Sequence, residues 1–265
     1  MLADNFKELR RSIVAFASLA VRTKRSRKPV FPELIGTGFV IDSRGIVATN
    51  RHVVRALEKL PNNPKTGVSS AIALTFSDVS DDGSGSHSLK VVPVSIRRWD
   101  KLTTFTSSEH FFGEQKPDLA FAQLNVDGLP AVSVVRDKGS WEVGTAIATA
   151  GFPLGTRALA IYGKINQVAP ILRSGIIASV YPFPCPRPHG FTIDIMTLGG
   201  ESGSPIFLRD SPKVVGLLHA GFNGTNITLA VPSWLVAQAC DHYMKTVPLN
   251  FTGVPRFDEV VAASK

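Results

Sequence analysis

The chain has 265 residues, 44% of them hydrophobic and 19% charged. That composition excludes a disordered chain and leaves room for one or two domains with a sizeable core. The net charge is +8, but residues 1–28 carry eight basic side chains against two acidic ones, a surplus of six, so the positive charge describes an N-terminal arm and gives no reason to expect nucleic acid as a partner.

Residues 2–20 place apolar side chains at Leu2, Phe6, Leu9, Ile13, Phe16 and Ala20. Steps of three and four predict one helix, packed on the domain or on a partner such as a second copy of the chain. One rival is a signal peptide, with Ser12–Val21 as its apolar core and a cut after Ala20; Asp4 and Glu8 stand against it. The other is a surface helix whose basic run Arg22–Lys28 sits on anionic lipid or another acidic partner. No apolar run approaches the roughly 18–20 residues of a membrane span. Cys185 and Cys240 lie far apart without metal-ligand spacing. Two free thiols, no metal, no cofactor and a cytoplasmic location are expected, with a disulfide and export as the alternatives.

From Val30 onward short β-like runs alternate with turns. Phe39–Ile41 and Ile46–Ala48 flank Asp42-Ser43-Arg44-Gly45, a hairpin signal. Val53–Leu60 reads as a short helix stopped by Pro61. Strands are predicted at Ala71–Phe76, Leu89–Ile96, Leu119–Leu124, Ala146–Ala150, Gly175–Val180, Phe191–Ile195, Pro205–Leu208, Val214–His219 and Ile227–Val231. Asn62–Ser70, Ser77–Ser88 and Thr103–Gln115 read as loops or insertions, and the proline-rich Pro182–Pro188 as an extended loop. A closing helix runs over Ser233–Lys245 with Ser233 as its cap. Many short strands at this spacing predict an all-β fold of two small antiparallel barrels. The expected division is 1–29 helix and arm, 30–140 first barrel, 141–250 second barrel with the closing helix, and 251–265 tail.

Three residues carry candidate chemistry. Ser202 stands in Gly199-Gly200-Glu201-Ser202-Gly203-Ser204-Pro205. Glycines let this backbone turn sharply, leaving the N–H groups of Gly200 and Ser202 free to hold an oxyanion. The same run is also an ordinary turn between strands. Of six histidines, only His52 directly follows a strand and opens a short helix. Its imidazole suits a general base, or it is a plain surface histidine. Asp118 heads the apolar run Leu119-Ala120-Phe121-Ala122, either as decoration of a strand start or as the acceptor that fixes an imidazole tautomer. The order His–Asp–Ser is one of the known orders of a nucleophilic triad.

The local contexts agree. Gly36-Thr37-Gly38-Phe39 through Thr49-Asn50-Arg51-His52-Val53-Val54, Pro117-Asp118-Leu119-Ala120, Ala150-Gly151-Phe152-Pro153-Leu154-Gly155, Ser174-Gly175-Ile176-Ile177, Gly200-Glu201-Ser202-Gly203-Ser204-Pro205 and Val215-Gly216-Leu217-Leu218 together resemble the trypsin-fold serine proteases of S1 type. The HtrA-like and trypsin-like peptidase branch is the nearest. The resemblance spans about Ile35 to Pro232. It implies two six-stranded antiparallel barrels, here flanked by an N-terminal and a C-terminal helix. It implies Ser202 as nucleophile, His52 as base, Asp118 as orienting acid and the Gly200 and Ser202 N–H groups as oxyanion hole. It places Met196 at the base of the substrate pocket, Thr197 in that pocket, and His219, Ala220 and Gly221 along its wall, with a protein or peptide as substrate. An uncharged Met196 disfavours an Arg or Lys preference; small or medium aliphatic side chains are expected, with a Glu or Gln preference through His219 as the rival.

Three departures stand out. Glu201 replaces the residue usual before the nucleophile, so it is either solvated or paired with an arginine. His52 and Asp118 lie 66 positions apart, more than is usual in that branch. No segment for a peptide-binding PDZ domain is expected after the closing helix. A serine esterase of α/β-hydrolase type is disfavoured, because Ser204 replaces the last glycine of its motif.

Overall fold

The computed structural model describes residues 2–19, 32–62, 69–77, 80–81, 87–88, 90–103, 105, 116–136, 141–156, 160–161, 164–165, 169–222, 224–247 and 253–263. The basic run Arg22–Lys28 and most of the Thr103–Gln115 insertion lie outside these residues.

The first barrel is built from β1 (Ile13–Ser18), β2 (Glu33–Asp42), β3 (Ile46–Thr49), β4 (Ala71–Phe76), β5 (Val91–Asp100) and β6 (Ala120–Leu124). Its ring order is β1-β2-β3-β6-β5-β4, closed by pairing of β4 with β1. The turn after β2 is the expected one: Asp42 accepts the Arg44 N–H, and Gly45 takes φ +79°. Between β3 and β4 runs α2 (Arg51–Glu58), the helix that follows the N-terminal α1 (Leu2–Arg10) in the chain.

The second barrel follows a short strand, β7 (Ser133–Val134), and comprises β8 (Ala146–Gly151), β9 (Ile171–Tyr181), β10 (Gly190–Ile193), β11 (Pro205–Leu208), β12 (Lys213–Gly221) and β13 (Thr228–Pro232). The ring runs β8-β9-β10-β13-β12-β11 and closes through β11 and β8; β7 adds in parallel to β12. Helix α3 (Ser233–Thr246) packs on β12 and β13, and its Tyr243 ring stands 5.3 Å from Phe121 of the first barrel.

The helix expected over residues 2–20 ends at Arg10, and the rest is β1. Ile13, Val14, Ala15, Phe16 and Ala17 are all fully buried. Val14 and Phe16 line the interior of the first barrel, while Ile13, Ala15 and Ala17 join the core shared with the second. A strand buried on both faces reads as a continuous apolar run, which spacing alone does not separate from a helix. Burial decides it: each large apolar side chain contributes roughly 1.5–3 kcal/mol, against propensity differences below about 1 kcal/mol per residue. The first barrel therefore begins at Ile13, inside the segment expected to hold only a helix and an arm. The apolar side of α1 itself is taken up within the chain, since Leu9 is buried and Leu2 and Phe6 pack on the same core.

Two end features also differ. Ser233 is not the cap of α3 but its first residue; Pro232 occupies the cap position, and no side chain caps that end. The segment expected as a tail carries α4 (Phe257–Ala263), whose Phe257, Val260 and Val261 pack on the first barrel's core. Both cysteines are free thiols.

Candidate active site

The serine loop is held by the first barrel. Thr37 of β2 donates its N–H to the Ser202 carbonyl at 2.9 Å and its hydroxyl to the Gly200 carbonyl at 2.8 Å. Thr49 of β3 in turn bonds the Thr37 carbonyl at 2.7 Å. The turn needs its glycines. Gly200 has φ +97° and Gly203 φ +89°, and a Cβ on Gly203 would collide with the Thr37 carbonyl oxygen. Gly203→Ala is expected to lower stability by at least about 2 kcal/mol through left-handed backbone strain alone, read as a fall in melting temperature. Among the described residues, neither the Gly200 nor the Ser202 N–H donates to a backbone carbonyl.

His52 is the second residue of α2, directly after β3. Its Nδ1 lies 2.5 Å from Asp118 Oδ2, and its backbone N–H donates to Asp118 Oδ1 at 3.1 Å. The stretch before β6 is tied to the start of α2 by two further contacts: the Asn50 amide donates to the Asp118 carbonyl at 2.7 Å, and the Arg51 guanidinium to the Pro117 carbonyl at 3.3 Å. An ionised carboxylate only accepts, so His52 carries its proton on Nδ1 and leaves Nε2 as the basic atom. Burial pushes the Asp118 carboxyl up. Hydrogen bonds from His219 and His52, with their charges, outweigh that and hold it well below the usual carboxylate range.

A cleft of about 300 Å³ is lined by His52, Asp118 and Ser202 together with Thr197, Leu198, Gly199, Leu218, His219, Ala220 and Gly221. The residues from the first barrel and those from the second thus meet at one opening. Met196, expected at the pocket base, does not line this cleft. It is exposed, and its carbonyl accepts from the Arg173 guanidinium; Thr197, expected in the pocket, does line the cleft, together with Leu198. His219, expected as pocket wall, lines the cleft, but its ring turns to Asp118, with Nδ1 3.3 Å from Oδ2.

Glu201, the residue left open between solvent and an arginine, is 1% exposed and paired with Arg173 of β9. Its other oxygen accepts the Leu198 N–H at 2.8 Å. Burial raises the Glu201 carboxyl above its ordinary value; the Leu198 N–H and then the charge and hydrogen bond of Arg173 oppose this. Both carboxylate oxygens are therefore engaged, one by Arg173 and one by the Leu198 N–H. The supporting residues Thr37, Asn50 and Arg173 were not singled out from sequence as parts of the site. Thr37 and Asn50 lie inside the very motifs that identified His52; Arg173 carries no local signal.

Two six-stranded barrels, with a histidine and an aspartate from one and a serine from the other lining a common cleft, define a trypsin-fold protein. The family model described as "Trypsin-like peptidase domain" matches residues 36–217, more than half of the chain. The chain therefore belongs to the trypsin-like peptidase domain family, whose class is that of serine proteases. Among solved structures it is similar to a serine endoprotease from Yersinia pestis, with TM-score 0.56 and 15% identity over 93% of this chain and 67% of that one. It is also similar to the HtrA-type protease AlgW with decapeptide, with TM-score 0.60 and 15% identity over 93% of this chain and 68% of that one. At this identity the two structures speak for the fold.

Proposed function

We propose that the protein is a serine endopeptidase that acts through an acyl-enzyme on Ser202. The observation that carries this reading is the short His52–Asp118 pair at the same cleft as the half-buried Ser202. In the proposed cycle, Ser202 Oγ attacks the peptide carbonyl carbon as its proton passes to His52 Nε2. The imidazolium is stabilised by the Asp118 carboxylate. The oxyanion is held by the N–H groups of Gly200 and Ser202, whose own carbonyls are committed to Thr37. Collapse of the adduct breaks the C–N bond, and His52 returns the proton to the leaving amine. Water then attacks the acyl ester by the same path in reverse and restores the serine. The lining residues of the cleft carry no fixed charge besides the triad acid, which favours uncharged side chains next to the scissile bond.

Cytoplasmic residence is part of the proposal, on the strength of the two free thiols. Cleavage after Ala20 in an exported form would remove β1, the strand between β2 and β4. The basic run at 22–28 is proposed as the contact for an anionic surface or partner.

A fluorophosphonate probe tests the catalytic reading. The expected result is a single labelled serine, mapped to Ser202, absent in Ser202→Ala, with cleavage of a mixed peptide library. No labelling would replace the reading by that of a catalytically silent binding module. Turnover of esters without peptide cleavage would replace it by an esterase.

A further inference from the structure

We infer that His219 is a positioning residue of this site, a second imidazole that shares the Asp118 carboxylate with His52 and thereby sets how strongly His52 holds a proton. The inference rests on the proposed triad. It adds a member that neither the order nor the spacing of the three residues contains.

The backbone accounts for where the ring goes. In the pairing of β12 with β13, Leu218 opposes Ala230 and Ala220 opposes Leu229, so His219 is the extra residue of a β-bulge and has no partner on β13. A bulge bends its strand and re-aims the side chain it inserts. Here the side chain is brought to the opposite barrel's carboxylate, 101 positions away in sequence.

The contacts determine the chemistry. Asp118 Oδ1 is occupied by the His52 backbone N–H at 3.1 Å. Its Oδ2 receives His52 Nδ1 at 2.5 Å and His219 Nδ1 at 3.3 Å. The carboxylate only accepts, so both rings present Nδ1–H to one oxygen. Each donor draws on the same negative charge, and what His219 takes is lost to the His52 imidazolium. If His219 itself carries a proton, its charge also repels that imidazolium across the shared oxygen. Both effects have one sign: His219 makes His52 easier to deprotonate. Other charged groups do not supply this. Among the described residues, Arg51 and Lys116 flank Asp118 and give their side chains to backbone carbonyls. Glu201 is turned to Arg173, and the facing strand Thr228–Pro232 carries no ionisable side chain.

The test follows the two imidazoles by NMR across pH in the Ser202→Ala protein, where no turnover intervenes. His219→Ala is expected to raise the His52 midpoint by about half to one pH unit, a roughly three- to tenfold tighter hold on the proton. His219→Asn, which keeps a neutral donor at the Nδ1 position, should restore part of that shift. In the active protein the acid limb of the labelling rate should move up by the same amount in His219→Ala. An unchanged His52 midpoint in folded His219→Ala overturns the inference. Should the alanine variant fail to fold, the unsubstituted ring pair decides: two inflections in each histidine's curve support the sharing, and independent single-proton curves refute it. The outcome is separable from the catalytic reading. A shifted midpoint with no labelling of Ser202 keeps the shared carboxylate and discards the protease, and labelling without a shift does the reverse.

Discussion

Asp118→Asn should slow fluorophosphonate labelling of Ser202 by about 10⁴-fold, the loss that the equivalent change produces in a Ser-His-Asp protease. Asp118 is the acceptor for three donors: the His52 backbone N–H, His52 Nδ1 and His219 Nδ1. An asparagine offers one accepting oxygen and one donating amide. If the amide nitrogen faces His52, Nδ1 becomes the acceptor and the proton moves to Nε2, where the base is needed. If the oxygen faces His52, the tautomer survives but the imidazolium loses its counter-charge. Either arrangement impairs His52 as the proposed base. The fold should stay intact, because the Asn50 and Arg51 side chains anchor this stretch through the backbone carbonyls of Asp118 and Pro117, which the substitution leaves in place. Labelling rates with circular dichroism on the same sample check both halves. A loss of less than tenfold would mean that Asp118 is not the partner on which His52 depends.

Arg173→Met should destabilise the protein by about 3 kcal/mol or more, the penalty for leaving a buried charge unpaired. For a chain of this size that is a fall of about 6–12 °C in melting temperature. Glu201 is almost fully buried, and Arg173 supplies its charge partner while also holding the Met196 carbonyl. The pair thus ties β9 to both ends of the 196–201 segment that leads to Ser202. The double replacement Arg173→Met with Glu201→Met should recover most of the loss, since no charge is then left in the core. The pH dependence has a definite sign. The Glu201 carboxyl is already raised by burial, so the folded protein binds its proton more readily than the unfolded chain does. Its contribution is most favourable below the ordinary carboxylate range and declines as pH rises through the window up to the raised value. Arg173→Met removes two of the lowering influences and widens that window. Its deficit should shrink toward acid pH and be largest at neutrality. A variant equally destabilised at every pH would show that the arginine acts through packing and not through charge.

The arrangement also bears on how the site is set. Glu201 stands directly before Ser202, the proposed nucleophile, where an unpaired carboxylate would repel a developing oxyanion. Its partner is an internal side chain on β9, so that strand braces the loop.

What the sequence determined by itself is the chemistry written locally. His52 after a strand, Asp118 before one and Ser202 between glycines each sit in a short context whose backbone demands are met by adjacent residues, and the hairpin at 42–45 and strand Pro205–Leu208 were legible for the same reason. Tertiary structure decided what depends on approach between distant elements. Ile13–Ala17 is a strand because both of its faces find apolar partners, and burial on two sides erases the two-residue period that would have marked it. Arg173 meets Glu201 because β9 brings it to the serine loop. His219 reaches Asp118 because the register between β12 and β13 slips at one residue, and a bulge is a property of two strands, not of the one that carries it.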